Sequence, residues 1–247
     1  QDFSQPLSLR AGRNQELLLS VQLVPFDVSR KLLISRDVTQ LERVQTVLRD
    51  FVANVSHELR TPLTVVGGFL ETLLDLEDPD PAALRRYMQM MQAQTERMKR
   101  LVEDLLTLSR LESNAHSAPE ERINMPALLQ SLLVEAQGLS QGRHQIELAA
   151  TGDSWLVGSA DELHSAFGNL ISNAVLYTPE GGMIRLAWAS DRNGGLFSVT
   201  DSGIGIEARH ISRLTERFYR VDRGRSRETG GTGLGLAIVK HVLARHQ

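Results

Sequence analysis

The spacing of apolar residues after position 40 restricts the fold of this 247-residue chain more than any other feature. Leu41, Val44, Leu48, Phe51 and Val55 follow one another at intervals of three and four residues. A helix with this repeat gathers these side chains into one stripe that has to be buried against another helix. Because apolar positions continue at helical spacing to about Leu76, the sequence predicts a single long helix up to that residue.

A second helix is predicted after a short break at Asp78-Pro-Asp-Pro81. Asp80 suits the N-cap and Pro81 the first helical position, and the pattern continues to about Glu112. The apolar face of this helix consists of Tyr87, Met91, Met98, Leu101, Leu105, Leu108 and Leu111. Two helices joined by a short loop form an antiparallel hairpin. Since a lone hairpin buries only one face, we expect a four-helix bundle formed by a homodimer.

The segments on either side of the hairpin have different patterns. Residues 6–38 alternate with period two, which predicts strands that are too few to form a core of their own. After a polar linker at 113–122, helices are predicted near 125–138, 161–177 and from 233, and strands near 144–149, 154–158, 183–189 and 196–200. This order is typical of a layered α+β domain. Residue 1 is not Met and the last helix has no stop signal, so we interpret both ends as cut.

Composition excludes several classes of function. The chain has no cysteine, which rules out disulfides, thiolate metal sites and a cysteine nucleophile. Its net charge of −3 provides no basic field for nucleic acid. No apolar run reaches the roughly 18 residues needed to span a membrane.

The first candidate site is His57, within the sequence Ser56-His-Glu-Leu-Arg-Thr-Pro-Leu63. His57 lies off the apolar stripe, so its ring is expected to face solvent, where a neutral imidazole can act as a nucleophile. Thr61 is four residues further on and shares the same face, whereas helical spacing alone does not bring Glu58 to the ring. Taken alone, His57 is more simply interpreted as an ordinary surface histidine.

Three further motifs lie in the α+β region. Asn169 and Asn173 share one face of a predicted helix and offer oxygens that suit Mg²⁺, although two solvated asparagines are an equally good interpretation. Asp201-Ser-Gly-Ile-Gly205 either receives a planar ligand with an exocyclic amine or simply ends a strand in a turn. Gly231-Thr-Gly-Leu-Gly235 leads into a helix and offers N–H groups to phosphates, but it matches neither a P-loop nor a dinucleotide fingerprint. Six arginines within 213–227 suit a lid near polyphosphate or a solvated loop.

The order of the motifs is more specific than any one of them. Together with Phe218-Tyr-Arg220, they resemble the H, N, G1, F and G2 boxes of bacterial sensor histidine kinases, over about residues 38–247. Asn54–Leu70 and Leu214–Asp222 more narrowly resemble the phosphate-regulon members of that family. Residues 6–39 resemble the end of a PAS sensory domain.

The resemblance implies a role for each candidate residue. His57 would accept the γ-phosphoryl group of ATP, with Glu58 as general base and Thr61 positioning water to dephosphorylate a partner. Arg220 would approach the γ-phosphate, and Asn173 would hold Mg²⁺. The remaining candidates would bind the nucleotide: Asn169, Tyr177, Asp201, Gly203, Gly205, Gly231, Gly233 and Gly235.

The resemblance also implies an architecture and partners. A PAS-like remnant at 1–39 would precede a dimerisation and phosphotransfer hairpin at 40–114 and a GHKL-type α/β sandwich that binds ATP at 115–247, cut before its last two strands. The implied homodimer uses ATP and Mg²⁺ and transfers the phosphoryl group to an aspartate of a PhoB-like response regulator receiver domain in phosphate-starvation signalling. It would be the cytoplasmic portion of an inner-membrane sensor, attached through a segment outside this chain, with no direct binding of nucleic acid.

Two alternatives remain open at this stage. A chaperone or mismatch-repair ATPase shares the nucleotide fold but lacks the hairpin that carries His57. A chain without its last two strands is expected to be less stable and to bind ATP poorly, because the sheet keeps an unpaired edge. Such a chain would serve only as a dimerisation and signalling module without ATP turnover.

Overall fold

The computed structural model describes residues 6–12, 17–27, 30–76, 80–113, 121–152, 154–191, 194–221 and 231–246. The chain divides into two compact units, Gln1–Thr61 and Pro62–Gln247. Most of the predicted linker and the arginines at 223, 225 and 227 lie outside the described residues.

The first unit contains the strands that the period-two pattern predicts. They are β1 (Leu7–Ala11), β2 (Leu17–Pro25) and β3 (Lys31–Asp37), and they form an antiparallel sheet in the order β1-β2-β3. The long helix α1 (Thr39–Leu74) begins two residues after β3. Its first half keeps the predicted stripe exposed, with 58% of Leu41 and 59% of Leu48 accessible.

Hydrogen bonds fix the point where the sheet passes into the helix. The Asp37 carboxylate accepts from the Thr39 N–H at 2.9 Å and from the Thr39 hydroxyl at 2.6 Å. The Thr39 hydroxyl in turn accepts from the Leu18 N–H of β2 at 2.8 Å. The Thr39 hydroxyl first, and then the Thr39 N–H, lower the pKa of Asp37 below its ordinary value.

In the second unit, the end of α1 and the start of α2 (Pro81–Ser113) form the predicted hairpin. The rings of Phe69 and Tyr87 lie 5.4 Å apart. Asp80 caps α2 as predicted, because its carboxylate accepts from the Ala83 N–H at 3.3 Å. Helix α1 continues through Pro62, which is buried.

The remainder of the second unit is the predicted α+β domain. Its elements are β4 (Glu121–Asn124), α3 (Met125–Ser140), β5 (Gln145–Thr151), β6 (Trp155–Gly158), α4 (Ala160–Tyr177), β7 (Met183–Asp191), β8 (Gly194–Asp201), α5 (Ala208–Ile211) and α6 (Gly235–Arg245). Two of these differ from the prediction. Strand β4 lies partly within the predicted linker, because Ile123 is buried and β4 pairs with β6. The short helix α5 was not predicted, because its sequence shows no apolar period.

Two sheets and three helices form the core of this domain. Strand β5 runs parallel to β7, which pairs antiparallel with β8, and β4 and β6 form a separate antiparallel pair. Helices α3, α4 and α6 bury their apolar faces, and the fully buried side chains include Leu129, Leu132, Ile171, Ile184, Leu186, Ile238 and Val242. Across the described residues, none of the helices combines the length and hydropathy needed to cross a bilayer.

Candidate functional site

Helix α4 presents the two predicted asparagines at the edge of the core. Ser159 caps the helix by accepting from the Glu162 N–H, and Phe167 and Ile171 bury the opposite face. Asn169 and Asn173 are half-buried. The Asn169 amide nitrogen donates to the Ser165 carbonyl at 2.9 Å, which fixes the direction of its amide oxygen.

That amide oxygen of Asn169 lies against the start of α6. A Cβ added at Gly235 would lie 2.2 Å from Asn169 Oδ1, a separation that real side chains do not adopt. Gly235 is therefore required for the close approach between the second and fourth motifs. The N-terminus of α6, with its exposed backbone dipole, lies beside the amide face of α4.

The third motif folds onto the C-terminal end of α4. The Gly203 N–H donates to Asp201 Oδ1 at 2.8 Å, so the carboxylate ends the strand in a turn, as one of the two interpretations predicted. A Cβ at Gly203 would lie 2.5 Å from the Tyr177 carbonyl oxygen, which also accepts from the Ile204 N–H at 3.3 Å. Gly205 adopts a φ of +69° in open space.

The fourth motif and the Phe218–Arg220 segment meet at Gly233. The Phe218 N–H donates to the Gly233 carbonyl at 2.8 Å, and a Cβ at Gly233 would lie 3.4 Å from Arg220 Cγ. A Cβ at Gly231 would lie 4.0 Å from the Tyr177 hydroxyl. The structure thus places both glycine motifs beside the C-terminal half of α4, which carries the asparagines, and Arg220 beside Gly233.

The histidine motif belongs to the first unit. His57 is exposed on α1, as predicted, and Glu58 is half-buried. The Thr61 hydroxyl donates to the His57 backbone carbonyl at 3.2 Å. In this rotamer, therefore, Thr61 bonds the helix backbone rather than the imidazole.

Sequence reasoning missed the carboxylates at the end of α2. Asp104 accepts from the Thr232 hydroxyl at 2.7 Å, and burial raises the pKa of Asp104 above its ordinary value. Glu112 pairs with Arg217, one of the arginines predicted to form a lid, and lies 3.5 Å from His241. Each partner is more than 100 residues away in sequence, so no local pattern predicts these contacts.

Comparison with known proteins matches both parts of the chain. Residues 47–114 match the family described as His Kinase A (phospho-acceptor) domain, and residues 158–247 match the family described as Histidine kinase-, DNA gyrase B-, and HSP90-like ATPase. Phosphate regulon sensor protein PhoR of Pseudomonas aeruginosa is 49% identical over 249 residues, 100% of this chain and 56% of that protein. Sensor histidine kinase WalK of Bacillus subtilis is 38% identical over 85% of this chain and 35% of its own length. The chain spans about half the length, or less, of these relatives.

Solved structures show the same architecture. Histidine kinase AdeS of Acinetobacter baumannii matches with a TM-score of 0.59 and 26% identity over 76% of this chain and 86% of that one. Full-length ShkA in complex with AMPPNP matches with a TM-score of 0.56 and 26% identity over 79% of this chain and 41% of that one. Histidine kinase ThkA in complex with response regulator protein TrrA matches at 20% identity, with a TM-score of 0.60 over 87% of this chain and 68% of that one, which shows a shared fold.

Proposed function

The chain belongs to the histidine kinases, and from this premise we propose that it phosphorylates its own His57 with ATP. The phospho-acceptor match contains His57, and the ATPase match contains every candidate nucleotide residue. One observation supports the proposal most directly. Gly235 and Gly203 are pressed against Asn169 and Tyr177, where a side chain at either glycine would overlap its neighbour.

The chemical groups at this site match the base and the phosphates of a nucleotide. The exposed Asp201 carboxylate, at the end of β8, suits the exocyclic amine of adenine. Tyr177, which is 37% exposed, offers a partly accessible ring beside it. At the other end, the Gly231–Gly235 backbone and the N-terminus of α6 suit the negative charge of the phosphates.

The amide oxygens of Asn173 and Asn169 are hard ligands of the kind that Mg²⁺ prefers. We assign Mg²⁺ to Asn173, with Asn169 next to the phosphates. When bound, the metal would neutralise negative charge on the phosphates. Elsewhere in the described ranges, no group of three or more His, Cys, Asp or Glu side chains forms a competing metal site.

The chemistry at the acceptor follows from the exposed imidazole. A ring nitrogen of His57 attacks the γ-phosphorus of ATP, the bond to the bridging oxygen breaks, and ADP leaves. Glu58 orients the ring and takes the proton that the imidazole loses. Arg220 stabilises charge on the γ-phosphate oxygens. Thr61 serves a separate reaction, in which it positions water for dephosphorylation of the partner.

The wider role rests on the named relatives. We propose transfer from His57 to an aspartate of a PhoB-like receiver domain, within a homodimer, in response to phosphate starvation. Support comes from the two relatives named Phosphate regulon sensor protein PhoR, which are 49% and 37% identical to this chain. Residues 1–39 serve as the output end of a PAS-like sensor, and a segment outside this chain provides attachment to the inner membrane.

Incubation with γ-labelled ATP and Mg²⁺ tests the kinase proposal. We expect label on the wild type and none on His57→Ala or Asn173→Ala. His164→Ala is the matched control, since His164 is also a partly exposed histidine, and its Nε2 lies 2.9 Å from the Glu135 carboxylate of α3. Equal label on His57→Ala would overturn the acceptor assignment. An unlabelled wild type would leave the chain as a dimerisation and signalling module.

A further inference from the structure

The Phe218–Arg220 segment has an unusual backbone. Phe218 has a φ of +60°, one of only two non-glycine residues with positive φ among those the structure describes. This left-handed conformation is unfavourable for a residue with a Cβ, and it persists only where the surroundings enforce it. One enforcing contact is the bond from the Phe218 N–H to the Gly233 carbonyl at 2.8 Å.

The second enforcing contact acts on the next residue, Tyr219. Its hydroxyl lies 2.6 Å from Nδ1 of His210, near the end of α5. The Arg209 Nε–H donates to His210 Nε2 at 3.2 Å. At 2.6 Å the imidazole and the phenol share one hydrogen bond, which ties Tyr219 to α5.

A third contact holds the tyrosine ring from its face. The Arg213 guanidinium lies 4.2 Å from the centre of the Tyr219 ring and is itself paired with Glu216 at 3.0 Å. Such stacking of a cation on an aromatic face is favourable. Tyr219 is thus held at its hydroxyl and at its face, on the residue that separates Phe218 from Arg220.

We propose that His210 is a positioning residue for phosphoryl transfer: it anchors Tyr219, and through Tyr219 it keeps Phe218 left-handed and Arg220 directed toward the γ-phosphate. This inference rests on the proposed kinase function. His210 does not touch the reacting atoms, and its effect is transmitted through one hydrogen bond and two peptide units. His210 lies outside the motifs, in the segment between the third motif and Phe218, and the proposal adds it to the functional residues.

The kinetic test compares His210→Leu and Tyr219→Phe with the wild type. Both variants remove the same bond, and Tyr219→Phe keeps the ring under Arg213. We expect each to lower the rate of His57 phosphorylation about three- to tenfold, the fold-change that corresponds to one hydrogen bond. Affinity for ADP should change by less than about twofold, because Arg220, which the anchor directs, is proposed to act on the γ-phosphate that ADP lacks. The double variant should lose no more than either single variant.

Controls separate positioning from a general loss of structure. His210→Asn keeps an amide that can hydrogen-bond the Tyr219 hydroxyl close to the position of Nδ1, and it should recover most of the rate, while His164→Leu should leave the rate unchanged. In an Arg220→Ala background, His210→Leu should cause no further loss. An equal additional loss in that background, or a parallel loss of ADP affinity, would overturn the positioning role. So would a His210→Leu variant that is as fast as the wild type.

Hydrogen exchange gives a readout that does not need activity. The Phe218 amide should exchange faster in His210→Leu and Tyr219→Phe, because its bond to Gly233 depends on the anchored turn, and unchanged exchange would overturn the anchor. If the wild type takes no label from ATP, the kinase proposal fails and the positioning role fails with it. If the wild type is labelled and the His210 variants keep the full rate, only the positioning role fails.

Discussion

At the residue scale, a glycine is required either because its φ is positive or because a neighbouring atom also leaves no room for a Cβ, and substitution separates these two reasons. Gly233 and Gly142 have nearly the same φ, +72° and +76°, but a Cβ at Gly233 would lie 2.9 Å from the Phe218 Cα, whereas a Cβ at Gly142 would meet nothing within 4 Å. We expect Gly142→Ala to lower the free energy of unfolding by about 1–2 kcal/mol, the cost of a left-handed alanine. Gly233→Ala should cost at least about twice as much, because the Phe218 backbone must also move. Chemical denaturation of both variants measures the difference, and equal losses would show that φ alone matters.

The same residues show what sequence reasoning reaches at this scale. The exposure of His57 follows from helical periodicity alone, and the structure confirms it. The left-handed Phe218 does not follow from any pattern, since phenylalanine is among the residues least suited to positive φ. Its conformation results from Gly233 and Tyr219, and neither contact can be read from the residues on either side of Phe218.

At the element scale, the end of α2 carries a titratable contact with a defined sign. Burial raises the pKa of Asp104 in the folded state above its ordinary value. The folded protein therefore holds this proton to higher pH than the unfolded chain, and the stability contributed by protonation is complete at low pH and is lost as the pH rises through the raised pKa. Near neutral pH, the buried charge is a net cost that its bond to Thr232 only partly offsets.

We expect Asp104→Asn to raise the melting temperature by a few degrees at pH 7, because the amide oxygen still accepts from the Thr232 hydroxyl without a buried charge. The gain should shrink as the pH falls, because the wild-type carboxyl then takes up its proton and also becomes neutral. Glu96→Gln, at an exposed position on the same helix, is the matched control and should show no such dependence on pH. Thermal melts from pH 4 to 8 measure it, and a gain that stays constant with pH would contradict the burial argument.

The helices and strands were largely predictable because their patterns are local. Both long helices begin and end within a few residues of the predicted positions, since apolar spacing and the Asp80-Pro81 start signal lie within the segments themselves. Strand β4 was not predicted, because the segment contains one strong apolar residue, Ile123. The strand forms by pairing with β6, which lies more than 30 residues later in the chain. The contact between Asp104 and Thr232 joins residues 128 apart, so only the folded chain reveals it.

At the scale of the whole molecule, the first half of α1 exposes an apolar stripe. Leu41, Val44 and Leu48 are each more than half exposed and lie on one stripe. An exposed stripe at intervals of three and four residues is a coiled-coil seam, which a second copy of the same helix covers. In the proposed homodimer, the partner copy therefore covers this stripe.

We expect Leu48→Glu to convert the dimer into a monomer, because the substitution places a charge on the seam of each helix, where the two copies have to desolvate it. Thr46→Glu introduces the same charge at an exposed position on the opposite side of α1 and should remain dimeric. Light scattering after gel filtration, over a range of concentrations, distinguishes twice the chain mass from one chain mass. Circular dichroism should show that the strands and helices of the second unit persist in both variants. A Leu48→Glu variant that stays dimeric would place the interface elsewhere, and the seam of α1 would then have to be covered by a different partner.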